Sequence, residues 1–256
     1  MSTFRVLQFN MQFAQQWTND ESHYGEIDLA ATAGEIRRHD ADLVFLQEVE
    51  RAEPKGQQLN PPRNYTRLRA ELDYPFGCFA YPKADERELP FGLGLAILSR
   101  TPLHQELRVD LPSPPIPFDF EGQKMTPTDR VLLGAQTTIH GRPLQLLNTH
   151  LLAFFMLGTS SSVHPVQRDI LARQLAAARG PTLLAGDFNV RDHKSLSQQF
   201  AAHGYRTVQD QLVTWRRRPY VLDHVFYNES LRVVSHAVKE TPTSDHHVIV
   251  ADFEFI

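Results

Sequence analysis

Apolar runs of strand length recur along nearly the whole chain, and amphipathic stretches rather than linkers separate them. "FRVLQFN", "ADLVFLQE", "LGLAILSR", "RVLLGAQTTI", "RPLQLLNTHLL", "PTLLAGDFN", "YVLDHVFYN", "LRVVSHAVK" and "HHVIVADFEF" all have this character. In the last of these, Ile249, Ala251, Phe253 and Phe255 alternate onto one face. "EIDLAATAGEIRRHD" places Ile27, Ala30, Ala33, Ile36 and Arg37 near one helical stripe, and "YTRLRAEL" spaces Tyr65, Leu68 and Leu72 as a short helix does. "HPVQRDILARQLAAARG" offers Pro165 as a helix start, Val166, Ile170, Leu171 and Leu175 as one face, and Gly180 as the stop. "SLSQQFAAHG" adds a further helix. Many strands with a few helices between them bury their faces as layers, which predicts an α/β or α+β sandwich.

With 256 residues, 41% of them hydrophobic, the chain can bury a large core, and residues 1–256 are expected to form one domain. A net charge of -4 and a pI near 6.3 disfavour a wide basic surface for sequence-independent nucleic-acid binding, while leaving room for a local basic site. Cys78 stands alone, which excludes an internal disulfide and a cysteine-built zinc site. The opening "MSTFRVLQFN" lacks the features of a secretory signal, and no apolar run is long enough to span a membrane. A soluble, cytoplasmic monomer is the expectation. The loop at 111–128 is rich in proline, which predicts irregular structure and, at that length, a functional role such as a lid.

The strands end in an unusual way. "LLAGDFN" stops at Asp187 and Asn189, "RVLQFN" at Asn10, "DLVFLQE" at Glu48, and "LQLLNTH" at Asn148 and His150. "VLDH" sets Asp223 among apolar neighbours, and "TPTSDHHVIV" puts Asp245 and His246 at the start of the last strand. Each has a bland explanation as a turn, a cap or a solvated strand end. Their recurrence in otherwise apolar strands points to metal binding or acid/base chemistry.

The ordered set Asn10, "LQE" at 46–48, "NTH" at 148–150, "GDFN" at 186–189, "LDH" at 222–224 and "SDH" at 244–246 resembles the endonuclease/exonuclease/phosphatase superfamily. That group includes pancreatic-type deoxyribonucleases, abasic-site endonucleases, neutral sphingomyelinases and inositol polyphosphate phosphatases. The resemblance implies a DNase I-like four-layer sandwich, with two mixed β-sheets packed face to face and helices outside. It places an active site where strand ends of both sheets converge.

The implied activity is a Mg2+-dependent phosphoesterase, with Mn2+ as a substitute, in which an activated water attacks a phosphodiester in line. Magnesium takes oxygen ligands and few carboxylates, so Glu48 is the first metal ligand, with Asn10 and Asp245 as near or water-mediated ones. Asp223 would orient and charge His246, Asn189 would orient Asp187, and His150 would donate to a phosphate oxygen. Either Asp187 or His246 could take the proton from water. Departures from the family pattern are Gln12 where an acid is common, Leu95 where an asparagine is common, and Val248 where a proline is common.

Arg130, Asn148, Trp215 and Phe154 are candidates for substrate contact. Arg130 could meet phosphate or simply begin a solvated strand. "TWRRRPY" sets Trp215 and Tyr220 around three arginines, which could hold a nucleic acid or be solvated. "LLAFFML" could pack on the core or form an apolar rim for a base or a lipid. His164 and Arg168 could support the site from behind. Nucleic acid is the leading substrate class by analogy; a lipid headgroup diester and an inositol or sugar phosphate follow. A relative that binds without cleaving is the alternative outside enzymes.

Overall fold

The computed structural model describes residues 2–19 and 25–256. One six-stranded sheet has the order β15 (Leu231–Lys239), β16 (Val248–Phe255), β1 (Phe4–Asn10), β2 (Leu43–Gln47), β6 (Leu95–Ser99), β4 (Phe76–Ala80). The other has the order β13 (Tyr205–Thr207), β14 (Asp223–Asn228), β12 (Thr182–Asp187), β11 (Arg142–His150), β10 (Arg130–Ile139), β7 (His104–Leu111). Each sheet is antiparallel except for one parallel pair, β1 with β2 and β11 with β12. Two short ribbons complete the strands, β3 (Glu50–Arg51) with β5 (Gly92–Leu93) and β8 (Phe118–Phe120) with β9 (Gln123–Met125). The α-helices are α1 (Leu29–Arg37), α2 (Arg63–Leu72), α3 (Val166–Ala177) and α4 (His193–Ala201).

Period-two burial sorts the side chains into three apolar layers. Val6, Phe45, Leu133, Leu146, Leu183, Val225 and Phe253 fill the space between the sheets. Their chain neighbours Leu7, Val44 and Leu46 turn outward onto Leu29, Ile36 and Leu68 of α1 and α2. Leu132 and Leu184 turn outward on the other sheet, onto Leu171, Leu175, Leu196 and Phe200 of α3 and α4. The result is the expected four layers of helices, sheet, sheet and helices. The face of Ile249, Ala251, Phe253 and Phe255 lies in the inter-sheet core as predicted.

Three local expectations need correction. Ile27 and Val166, placed on buried helix faces by spacing, are both exposed, because α1 begins at Leu29 and Val166 opens the first turn of α3. The proline-rich stretch is not wholly irregular, since it holds the β8–β9 ribbon. There, Asp119 accepts from the Gly122 amide and closes the turn. Among the described residues no helix is long and apolar enough to cross a membrane.

Both parallel pairs point their C-terminal ends the same way. Register pairs Asn10 with Gln47 and His150 with Asp187, and Asp187 with Asp223 at the start of β14. That end of the sandwich carries the polar residues.

Candidate active site

Inward-facing residues change from apolar to amide to charged as each central strand approaches this end. On β1 the series is Phe4, Val6, Gln8, Asn10; on β11 it is Leu144, Leu146, Asn148, His150. The amides form one buried chain. Asn148 donates to the carbonyls of Leu46 and Ala96, both at 2.9 Å, and accepts from Gln47 at 2.8 Å. Gln8 donates to Gln47 Oε1 at 2.7 Å and to Asp223 Oδ1 at 3.0 Å, which joins the two sheets. Thr214 Oγ1 accepts from the amides of Leu222 and Asp223, fixing the backbone where β14 begins.

Above this floor, Asp223 Oδ2 meets His246 Nδ1 at 2.8 Å, so the imidazole turns Nε2 toward Asp187 Oδ2, 3.7 Å away. His150 Nε2 approaches the same Asp187 oxygen at 3.6 Å and Glu48 Oε1 at 3.8 Å. Asn10 Nδ2 donates to both Asp187 Oδ2 and Glu48 Oε1 at 3.0 Å. Asp187 and Asn189 do lie side by side, but a turn rather than an extended strand puts them there. Asn189 has φ +50°, and its backbone N–H donates to Asp187 Oδ1 at 2.9 Å. Ser244 links the last loop to β1 by donating to the Asn10 carbonyl and accepting from His246 N. Gln12, where an acid was the family pattern, accepts from Asp245 N and ties the same two loops.

Burial sets the charge states. Asp187 is pushed up to about 8 by burial and then by Asp223, against the opposing His246 charge and the hydrogen bonds from Asn10 and Asn189. Burial works against a charged His246, yet Asp223 and Asp187 outweigh it and raise the ring to about 10. His150 is held well below the usual histidine range by burial and by the Arg130 and His246 charges. The site therefore sets an imidazole with a raised pKa and one with a lowered pKa on either side of the Asp187 carboxyl group.

Glu48 has the properties of a cation ligand. It is pushed up to about 7, mainly by burial and further by Asp245, with the Asn10 hydrogen bond, His246 and Arg130 opposing. Asp245 offers a further carboxylate oxygen, Asn10 turns Nδ2 to Glu48 while its Oδ1 accepts from the Gln12 amide at 3.1 Å, and the only thiol, Cys78, is buried in the inter-sheet core. This donor set fits a hard divalent cation. Asp245 contributes through one oxygen at most, because Arg217 Nε and the Trp215 indole hold Oδ2 at 2.6 and 3.1 Å. Asp187, Asp223 and His246 also gather ligand-type atoms within 4.8 Å of one another, but His246 and Asp223 are already bonded together.

Two of the substrate-contact candidates are corrected. Asn148 is fully buried and all its bonds go to the floor. Phe154 is also buried and stacks on His164 at 5.4 Å; its neighbour Phe155 is the ring that reaches Trp215 and Tyr220, at 5.7 and 5.6 Å. Trp215 is half-buried and positions Asp245. Arg130 lines a narrow cavity with His150, Gly92 and Leu95, and faces Glu88 at 3.9 Å. His164 and Arg168 stay behind the site; Arg168 is bonded to Gln199 and to Ser161, Ser162 and Ser195. A surface cleft beside Phe79, Tyr81 and Arg108 contains none of the acid/base groups.

Sequence reasoning missed Gln8, Gln47, Thr214, Ser244 and Gly92. A Cβ on Gly92 would sit 2.5 Å from Glu48 Cβ and 2.7 Å from its Oε2, so only glycine lets β5 pass this carboxylate. Gly92 stands just before the "LGLAILSR" run, where side-chain spacing does not mark it.

The chain belongs to the Endonuclease/Exonuclease/phosphatase family, whose sequence model matches residues 7–246. Members of that family are hydrolases of phosphoesters and generally depend on divalent metals. A UPF0294 protein of Yersinia pseudotuberculosis is 34% identical over 118 residues, covering 44% of this chain and 44% of the relative. The match thus spans less than half the length of that curated relative. An endonuclease/exonuclease/phosphatase of Beutenbergia cavernae superposes with a TM-score of 0.73 at 22% identity, over 99% of this chain and 72% of that one. One from Bacteroides vulgatus gives 0.72 at 18% identity and full coverage of both chains. At these identities the two structures share the fold.

Proposed function

We propose that the protein is a Mg2+-dependent phosphodiesterase in which water attacks phosphorus in line with the leaving oxygen. The observation that carries this reading is the convergence on Asp187 Oδ2. Two imidazole Nε2 atoms lie 3.6 and 3.7 Å from it, and the Asn10 amide lies at 3.0 Å. A carboxylate with a raised pKa is a stronger base than a solvated one, and the donors around it hold its orientation. His246, kept charged by Asp223, is placed to stabilise negative charge growing on the phosphoryl oxygens, and neutral His150 can donate to one of them. Glu48, with Asn10 and Asp245, would hold the magnesium, which supplies charge neutralisation at the phosphate and the leaving oxygen. All these groups come from one chain and from strands spread between residues 10 and 246. We therefore take the whole chain as one catalytic unit, active as a monomer.

For the substrate, the arginines at 216–218 lend nucleic acid less support than their sequence suggests. Arg217 is paired with Asp245, Arg216 donates to the Thr241 carbonyl, and both lie over the Trp17 ring. A diester with an apolar or aromatic group beside the phosphate is better supported, by the wall of Phe155, Trp215 and Tyr220 next to His246. The test is hydrolysis of bis-p-nitrophenyl phosphate against p-nitrophenyl phosphate, with magnesium, manganese or a chelator, and His246→Ala as control. Metal-dependent turnover that favours the diester and vanishes in the control is expected. Equal turnover in the control, or a preference for the monoester, would sink the proposal.

A further inference from the structure

We infer that the catalytic end docks on a lipid surface through loops 151–165 and 208–222, so that the phosphodiester it meets is presented at the interface. Among the described residues nine large apolar side chains stand exposed, and five of them are on or beside these two loops. They are Met156 (70% exposed), Val163 (67%), Val166, Leu212 and Val213. Phe155 joins the loops by packing against Trp215 and Tyr220. A soluble protein scatters exposed apolar side chains singly; a concentration of them beside an active site marks an interaction surface.

Charge identifies the partner. Residues 151–165 contain no Asp, Glu, Lys or Arg in a chain that is 22% charged. That loop can enter an apolar phase without desolvating an ion. Residues 208–222 carry three arginines against a single aspartate, Asp210. Arg216 and Arg217 are held by the Thr241 carbonyl and Asp245, so the positive charge at this edge comes from exposed Arg218 and from exposed Arg191, over the Tyr220 ring at 5.6 Å. Apolar tips, amphipathic Trp and Tyr rings, and arginines at their edge match the order of acyl chain, interface and phosphate headgroup. The exposed side chains come from two separate loops, an arrangement that suits a fluid surface better than a single bound peptide. The identity of the diester cleaved rests on the phosphodiesterase reading; the docking itself does not.

The test is flotation of the full chain with phosphatidylcholine vesicles containing or lacking phosphatidylglycerol, alongside hydrolysis of soluble bis-p-nitrophenyl phosphate. Wild type is expected to float with the phosphatidylglycerol vesicles. Met156→Asp combined with Val163→Asp should lower the bound fraction about tenfold, with soluble hydrolysis unchanged. Met156→Ser with Val163→Ser should lower it about threefold, which separates lost apolar contact from charge repulsion. Wild type that stays out of the floating layer, or double variants that float as well as wild type, would overturn the docking. So would loss of single-stranded oligonucleotide binding in the variants without any vesicle binding, which assigns the surface to nucleic acid. Flotation without diester hydrolysis would support the docking and remove the phosphodiesterase reading alone.

Discussion

Replacing Glu48 by Gln isolates the cost of holding a carboxylate in the site without its cation. Gln keeps the shape and an oxygen that can accept from Asn10 Nδ2, as Glu48 Oε1 does at 3.0 Å, so the fold should persist. The native carboxyl is raised from 4.5 to about 7. A shift of that size corresponds to about 3 kcal/mol. Glu48 retains 19% side-chain exposure, and water relieves part of the penalty. We therefore expect about 1–3 kcal/mol. The sign follows from the folded state binding the proton more tightly than the unfolded one. Below the unfolded value wild type and variant are equally stable, and wild type loses ground as pH rises through about 7. Thermal unfolding of metal-free protein should give matching midpoints near about pH 4.5 and a higher midpoint for Glu48→Gln at about pH 8. At about 2–4 °C per kcal/mol, that difference is about 2–12 °C. Magnesium should raise wild type at the higher pH and move the variant less, because the cation takes the place of the proton. Parallel curves for the two proteins, or a variant less stable at alkaline pH, would refute the desolvated metal carboxylate.

Gly92→Ala should push Glu48 aside and lower turnover by about 10²-fold with the circular dichroism spectrum unchanged, since sub-ångström placement governs such sites; full activity would show that Glu48 tolerates displacement. Asp223→Asn removes the charge that helps raise His246 to about 10, so the alkaline limb of the pH–rate profile should move toward neutrality. An alkaline limb left in place would assign it to another group. Asn148→Leu strips the carbonyls of Leu46 and Ala96 and the Gln47 amide of their partner. Chemical denaturation should show a loss of about 2–4 kcal/mol, and a loss below about 1 kcal/mol would argue against the floor as a structural support.

The residues proposed to be catalytic stand out as candidates because each is an ionisable residue or amide that interrupts an apolar run near a strand end, and strand phase predicts which face several of them take. His150, Asp187 and Asp223 share the phase of the inward-facing residues on their strands, whereas Glu48 follows inward-facing Gln47 with φ +50° and His246 precedes β16, so backbone turns bring those two to the site. The floor was not legible, because Gln8 meets Asp223 across 215 residues of sequence and only the packing of the two sheets makes that contact. Thr214 and Ser244 act through backbone groups, which leave no pattern in side-chain spacing. Phe154 and Phe155 are adjacent, and a one-residue choice on a 3₁₀ turn decided which ring is buried; periodicity has no purchase on so short an element. The proline-rich stretch hid a ribbon because the turn at Asp119–Gly122 depends on one aspartate and one glycine at φ +79°.

The buried amide chain also bears on how the site can change charge. In the proposed turnover the cavity would gain and lose an anionic ester and at least one proton beside a bound cation. Carboxylates directly on a hydrocarbon core would transmit each of those changes as a new solvation cost to the leucines and valines beneath. Here the layer in between is electrically neutral but strongly dipolar. It can answer a change of potential by small rotations of its C=O and N–H groups while each keeps a partner. The sandwich below is thereby insulated from the electrostatic history of the site above, and one rigid scaffold can serve every state in the cycle.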